Sequence, residues 1–116
     1  MTNDEFKEQA DYFWTKPVLP PFVTSPFRGR TTGPNGIRMH YSLLHIDGDS
    51  PQMERFIVFE LRDGRIFHRS DDGSRETELP DVQAVGIEMQ KFVDAFVADC
   101  HKRAPRRPAQ WRGRRA

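Results

Sequence analysis

The densest chemistry in this 116-residue chain lies at its end, where Lys102, Arg103, Arg106, Arg107, Arg112, Arg114 and Arg115 surround Trp111. Cations in such a run bind phosphates by displacing counterions, without sequence preference. An indole among them can stack on a base or insert into an interface. A second basic group is Arg62, Arg65 and Arg69, interleaved with Phe67 in R-D-G-R-I-F-H-R. Arginines beside an aromatic ring on a sheet surface make a platform for an anion or a base. The plainer alternative is that these arginines reach into water or pair with Glu60 and Asp63. A third group, Phe56, Val58 and Phe67, is apolar and shares a strand face with those charges, which suits a protein interface.

Other chemistry is sparse. His40 and His45 are an odd number of residues apart on one expected strand, so they point to opposite faces and cannot share a metal. Cys100 and His101 diverge on a helix. The only cysteine sits on an apolar stripe and reads as a small hydrophobe. His45, Asp47 and Asp49 would gather as ligands only if their loop curled, and D-G-D-S-P is also the sequence of a plain turn. There is no C-x-x-C, H-E-x-x-H, G-x-S-x-G or P-loop. No catalytic residue, metal site or cofactor is expected, and the chain reads as non-enzymatic.

Charge is distributed unevenly. All 17 acidic residues fall in 1–101 with 11 of the 18 basic ones, so a body of −6 carries a tail of +7. Such a split points to an anionic partner for the tail, or to a tail that folds back on the body. No apolar run approaches the length of a membrane span. The acidic, polar first residues do not read as a secretory leader, and a lone cysteine suits a cytoplasmic setting.

The element that would position these groups is a hairpin over 55–69. Asp63-Gly64 supplies the positive-φ pair of a type I′ turn. The register then sets Arg62 opposite Arg65, Leu61 opposite Ile66, Glu60 opposite Phe67, Phe59 opposite His68 and Val58 opposite Arg69. Ile57, Phe59, Leu61 and Ile66 share the face that must be buried, since a lone hairpin is barely stable. Before it, 37–46 alternates as a strand with Ile37, Met39, Tyr41 and Leu43 on one face, and 47–51 is a loop. After it, Asp72-Gly73 marks a turn into a polar edge strand over 74–79.

Helices bracket the strands. Thr2 and Glu5 fit a capping box, and Phe6, Ala10 and Phe13 form an apolar stripe ending at Pro17. From Asp81 to about Arg103, Val82, Val85, Met89, Phe92, Val93, Phe96 and Cys100 mark a long helix. Between the first helix and the first strand, 17–36 reads as a Pro/Gly-rich extended arm. Leu19, Phe22, Val23 and Phe27 are its anchors, 22–24 is a short edge strand, and Arg28-Gly29-Arg30 is a loop.

The fold class is therefore α+β: an N-terminal helix, an antiparallel meander of three or four strands, and a long C-terminal helix on one sheet face. One domain spans 1–103, and 104–116 is a tail disordered on its own. This order is similar to that of double-stranded-RNA-binding domains. Those carry lysines at the start of the second helix, where this chain has Glu76, Glu78 and Asp81, and no family is assigned. The leading functional expectation is a binding protein whose Arg-rich tail engages nucleic acid or a nucleoprotein. The alternative is a protein adaptor or inhibitor that binds through the acidic body and the Phe56/Val58/Phe67 face. If the first helix does not cover that face, a second copy of the chain is a candidate cover.

Overall fold

A computed structural model of the chain describes residues 1–48, 50–70 and 75–103. The order is α1 (Asn3–Trp14), β1 (Val23–Thr24), β2 (Arg28–Gly33), β3 (Gly36–Asp47), β4 (Ser50–Arg62), β5 (Arg65–Ser70), β6 (Thr77–Leu79) and α2 (Gln83–Arg103). The fold is α+β, as the sequence implies: a helix, an antiparallel sheet and a second helix packed on that sheet.

The β4–β5 hairpin has the expected register, from Val58 opposite Arg69 to Arg62 opposite Arg65. Its turn depends on positive φ at Asp63 (53°) and Gly64 (76°). Only glycine and a few short polar residues adopt that region readily, so two residues settle the pairing of twelve. The capping box is also present. Thr2 Oγ1 accepts from the Glu5 amide at 3.1 Å, and Glu5 Oε1 accepts from the Thr2 amide at 2.8 Å.

The sheet has six strands rather than three or four. The two additions come from the stretch expected to be an extended arm. Val23–Thr24 is indeed a short strand, but Arg28-Gly29-Arg30 is not a loop. It opens β2, which pairs with β3 from Arg28 opposite Tyr41 to Gly33 opposite Gly36. This segment has two glycines and no apolar alternation, so its own propensity favours neither strand nor burial. The pairing groups of the twelve-residue β3 make it a strand. β4 likewise starts at Ser50, because 50–54 continues the pairing with β3 past a register shift at His45/Ile46. Asp72-Gly73 and the start of the expected last strand lie outside the described residues. α2 begins at Gln83 rather than Asp81. The Asp81 carboxylate accepts from the Ala84 amide at 3.1 Å, which sets Asp81 before the helix as its cap.

Both helices lie on the same sheet face. α1 packs on α2 and β3, and α2 packs on β3 and β4. The interface between them is tight at Gly86, where a Cβ would come within 2.9 Å of the Phe13 ring. A mid-helix glycine costs about 1 kcal/mol relative to alanine, and here it lets α1 approach. The core falls into two clusters. Phe6, Ala10, Ile37, Met39, Tyr41, Ile57, Phe59, Leu61, Ile66, Leu79, Val85 and Met89 form one. Val23, Leu43, Val93, Phe96 and Cys100 form the other. Trp14 and Phe92 pack against both. Of the expected arm anchors, Leu19, Phe22 and Val23 join the second cluster. Phe27 does not; it is 45% exposed.

Candidate interaction surfaces

The hairpin arginines sit on the face away from the helices, and carboxylates hold two of them. Arg62 donates to Glu60 at 3.3 Å and to Glu76 at 2.8 Å, while its guanidinium lies 4.1 Å over the Phe67 ring. Arg65 binds Glu78 with two donors, Nε to Oε2 at 3.0 Å and Nη2 to Oε1. Hydrogen bonds from these arginines hold the Glu76 and Glu78 carboxyls below their usual range, and the arginines are raised in turn. Arg38 also reaches Glu60, at 3.4 Å. The plainer of the two readings is thus what the structure displays, with Glu76 and Glu78 on or beside β6 in place of Asp63. The signal for this was the alternation Glu76-x-Glu78, which puts both carboxylates on one face of an edge strand. Arg69 forms no ion pair among the described residues. It lies near His40, and burial first, then Arg38 and Arg69, lower that imidazole's affinity for a proton.

The apolar part of this open face is Phe56, 40% exposed, beside half-buried Val58. Phe27 meets Phe56 edge to face at 6.4 Å between centroids. Phe67, the third expected interface residue, is half-buried beneath Arg62 and Arg65. Phe27 was missing from the expected interface because its neighbours read as a loop.

Of the tail group, Lys102 is exposed on the last turn of α2, 3.7 Å from Asp99. Arg103 ends that helix. Arg106, Arg107, Trp111, Arg112, Arg114 and Arg115 lie outside the described residues, as does the tail as a whole.

On the helix side, α2 and β4–β5 leave a cleft of about 280 Å³ lined by Arg55, Ile57, His68, Glu88, Phe92 and Phe96, among others. His68 Nε2 lies 3.4 Å from Glu88, and the ring stacks on Phe59. Burial keeps its proton affinity low, against the pull of Glu88. Lys91 also lines this cleft, and no serine, threonine or cysteine is among the described residues that do. Deeper in the core, the Tyr41 hydroxyl donates to Asp11 at 3.0 Å. Burial, then the Asp11 charge, push its ionisation far above the usual range. No group of three or more metal-ligating side chains occurs among the described residues, and Asp49 lies outside them.

The last surface was not anticipated. β2 is the outer strand along half of β3, and five of its six residues are exposed. Arg28 and Arg30 pair with the buried Tyr41 and Met39, so they stand on the helix side, beside α1. Neither has an ion-pair partner among the described residues. Shallow depressions there are lined by Lys7, Asp11, Arg28 and Arg30, and by Asp4, Glu8, Arg30 and Thr32.

Set against known proteins, the chain matches no family model, no curated protein and no solved structure. Among the described residues, no helix is long and apolar enough to cross a membrane.

Proposed function

We propose that the chain is a non-enzymatic protein-binding module whose docking surface is the helix-free face of the sheet, centred on Phe56 and Val58. The observation that carries this reading is the placement of both helices on one face, which leaves two phenylalanines in contact and exposed on the other. Paired charges, Arg38, Glu60, Arg62 and Glu76, border this patch on the side of the hairpin tip. That is the anatomy of a non-obligate interface, with an apolar centre and a polar border. A second copy of the chain is one such partner. A cytoplasmic setting accords with the reading, since a chain with a single cysteine forms no internal disulfide.

The test compares affinity capture by the wild-type chain with capture by V58D and F56D, each checked for native circular dichroism. The reading requires a protein retained by the wild type and lost with both variants. Equal capture by all three overturns it.

The second reading is nucleic-acid binding by 102–116, favoured by seven basic residues with no acidic one. Arg62 and Arg65 come to such an interface with carboxylates attached, so the tail carries most of the positive potential. Full-length chain and a chain ending at Arg103 are titrated with single-stranded RNA and duplex DNA at two salt concentrations. Binding by the full-length chain alone, with a log–log salt slope of several units, supports it. Absence of binding at physiological salt removes it.

A further inference from the structure

We infer that the outer edge of β2 is a second docking site, one that takes an extended peptide strand with an acidic–aromatic–acidic triplet. The inference concerns a different surface from the Phe56/Val58 face and stands or falls separately from it. Three observations carry it. An edge strand presents a row of unpaired N–H and C=O groups to any chain that can match them. β2 has such an edge over six residues, with no outer neighbour among the described residues, whereas the opposite edge, β6, has three. The proline punctuation that blunts edges stands outside this run, at Pro26 and Pro34.

The side chains then specify the incomer. On the helix side the edge offers Arg28 and Arg30, both exposed and without ion-pair partners among the described residues. An incoming strand places alternate residues directly opposite them, where opposite charges stabilise the pairing. On the other side, between the two arginines, lies Gly29. A Cβ there would come within 2.8 Å of the Phe27 ring, so that ring lies against the bare backbone and stays 45% exposed. The residue entering opposite Gly29 meets an aromatic face, which favours an aromatic side chain. Acid, aromatic, acid follows, and the pattern reads the same in parallel or antiparallel pairing.

Nearby charges on α1 bear on this. Lys7 adds to the positive side. Asp11 is engaged by Lys7 at 3.2 Å and by Tyr41, while Asp4 and Glu8 line the depression beyond Arg30 and oppose a longer acidic run. The site therefore fits a short triplet and not a polyanion. Phosphates accept hydrogen bonds and donate none, so a phosphate backbone laid along the edge leaves its carbonyls unmatched, while a polypeptide strand satisfies both kinds of group.

The experiment follows amide shifts of the ¹⁵N-labelled full-length chain during titration with acetyl-Thr-Glu-Phe-Glu-Val-Thr-amide. Parallel titrations use the same peptide with both glutamates changed to lysine, and the glutamate peptide N-methylated on alternate backbone nitrogens. The expected result is saturable shifts confined to 28–33 and their β3 neighbours, with both control peptides at least tenfold weaker. R28E/R30E should reverse the preference towards the lysine peptide, and V58D should leave glutamate-peptide binding intact. Equal binding of the lysine peptide, shifts centred on the Phe56/Val58 face, or loss of binding in V58D overturns the inference. So does a doubled molar mass in light scattering that R30E abolishes, which would make a second copy the occupant. Displacement of the peptide by short duplex RNA shifting the same amides would assign the edge to nucleic acid.

Discussion

The hairpin tip and the sheet edge each carry two arginines close together in sequence, and the fold treats them oppositely. Arg62 and Arg65 face a strand that brings Glu76 and Glu78 into register, so their charge is consumed within the molecule. Arg28 and Arg30 stand on the outermost strand, with Asp4, Glu8 and Asp11 of α1 nearby, and neither forms an ion pair among the described residues. Whether an arginine is available to a partner is thus decided by the strand beside it and not by the local sequence around it.

Both regions hang on the β3–β4 frame, so Phe59→Ala, which empties a fully buried ring position, should cost about 3–5 kcal/mol in denaturant unfolding. A cost under 1 kcal/mol would mean that the frame is not organised around this ring. Gly64→Val forces a β-branched residue to φ 76° and should cost about 1–3 kcal/mol, loosening the tip while leaving β2 amide shifts in place.

Acidification is a milder stress. Burial holds His40, with Arg38 and Arg69 assisting, and His68, against the pull of Glu88, below their ordinary value of 6.5, so the unfolded chain takes up protons first. The stability they contribute is complete above pH 6.5 and declines as the pH falls through their folded-state values. H40Q/H68Q should flatten that part of the profile; an unchanged slope would place the dependence elsewhere. The smallest effect on stability is expected at the arginines themselves. R28Q/R30Q should change unfolding free energy by less than about 0.5 kcal/mol. E76Q/E78Q should strengthen retention on heparin, because it turns the tip into a second unpaired site. If retention is unaffected, the carboxylates do not mask the tip.

Much of the frame was legible from short-range signals. Asp63-Gly64 gave the hairpin register residue by residue, Thr2 and Glu5 the first helix start, and the Val85–Cys100 stripe the face of α2. What was hidden depends on pairing at a distance. β2 has no pattern of its own and exists because β3 is long enough to pair with it. Residues 50–51 read as part of a loop and 52–54 as no element, because the strand state of 50–54 follows from the register of 44–47. The availability of arginines was hidden for the same reason, since Glu78 meets Arg65 only after β6 pairs with β5. Phe27 was misplaced because a ring beside a supposed loop reads as an anchor, whereas the strand on either side of Gly29 turns it outward.

The division of the core into two clusters bears on how the molecule opens. α2 spans both, with Val85 and Met89 in one and Val93, Phe96 and Cys100 in the other, and the smaller cluster takes only Leu43 of β3 and Val23 of the two-residue β1 as buried residues from the sheet. Opening of a subregion costs least where fewest apolar contacts are lost. Amide hydrogen exchange along α2 should therefore step rather than slope, with slow exchange up to about Phe92 and faster exchange beyond. The distal half of the helix would release as one unit while the α1–α2 half holds the sheet closed.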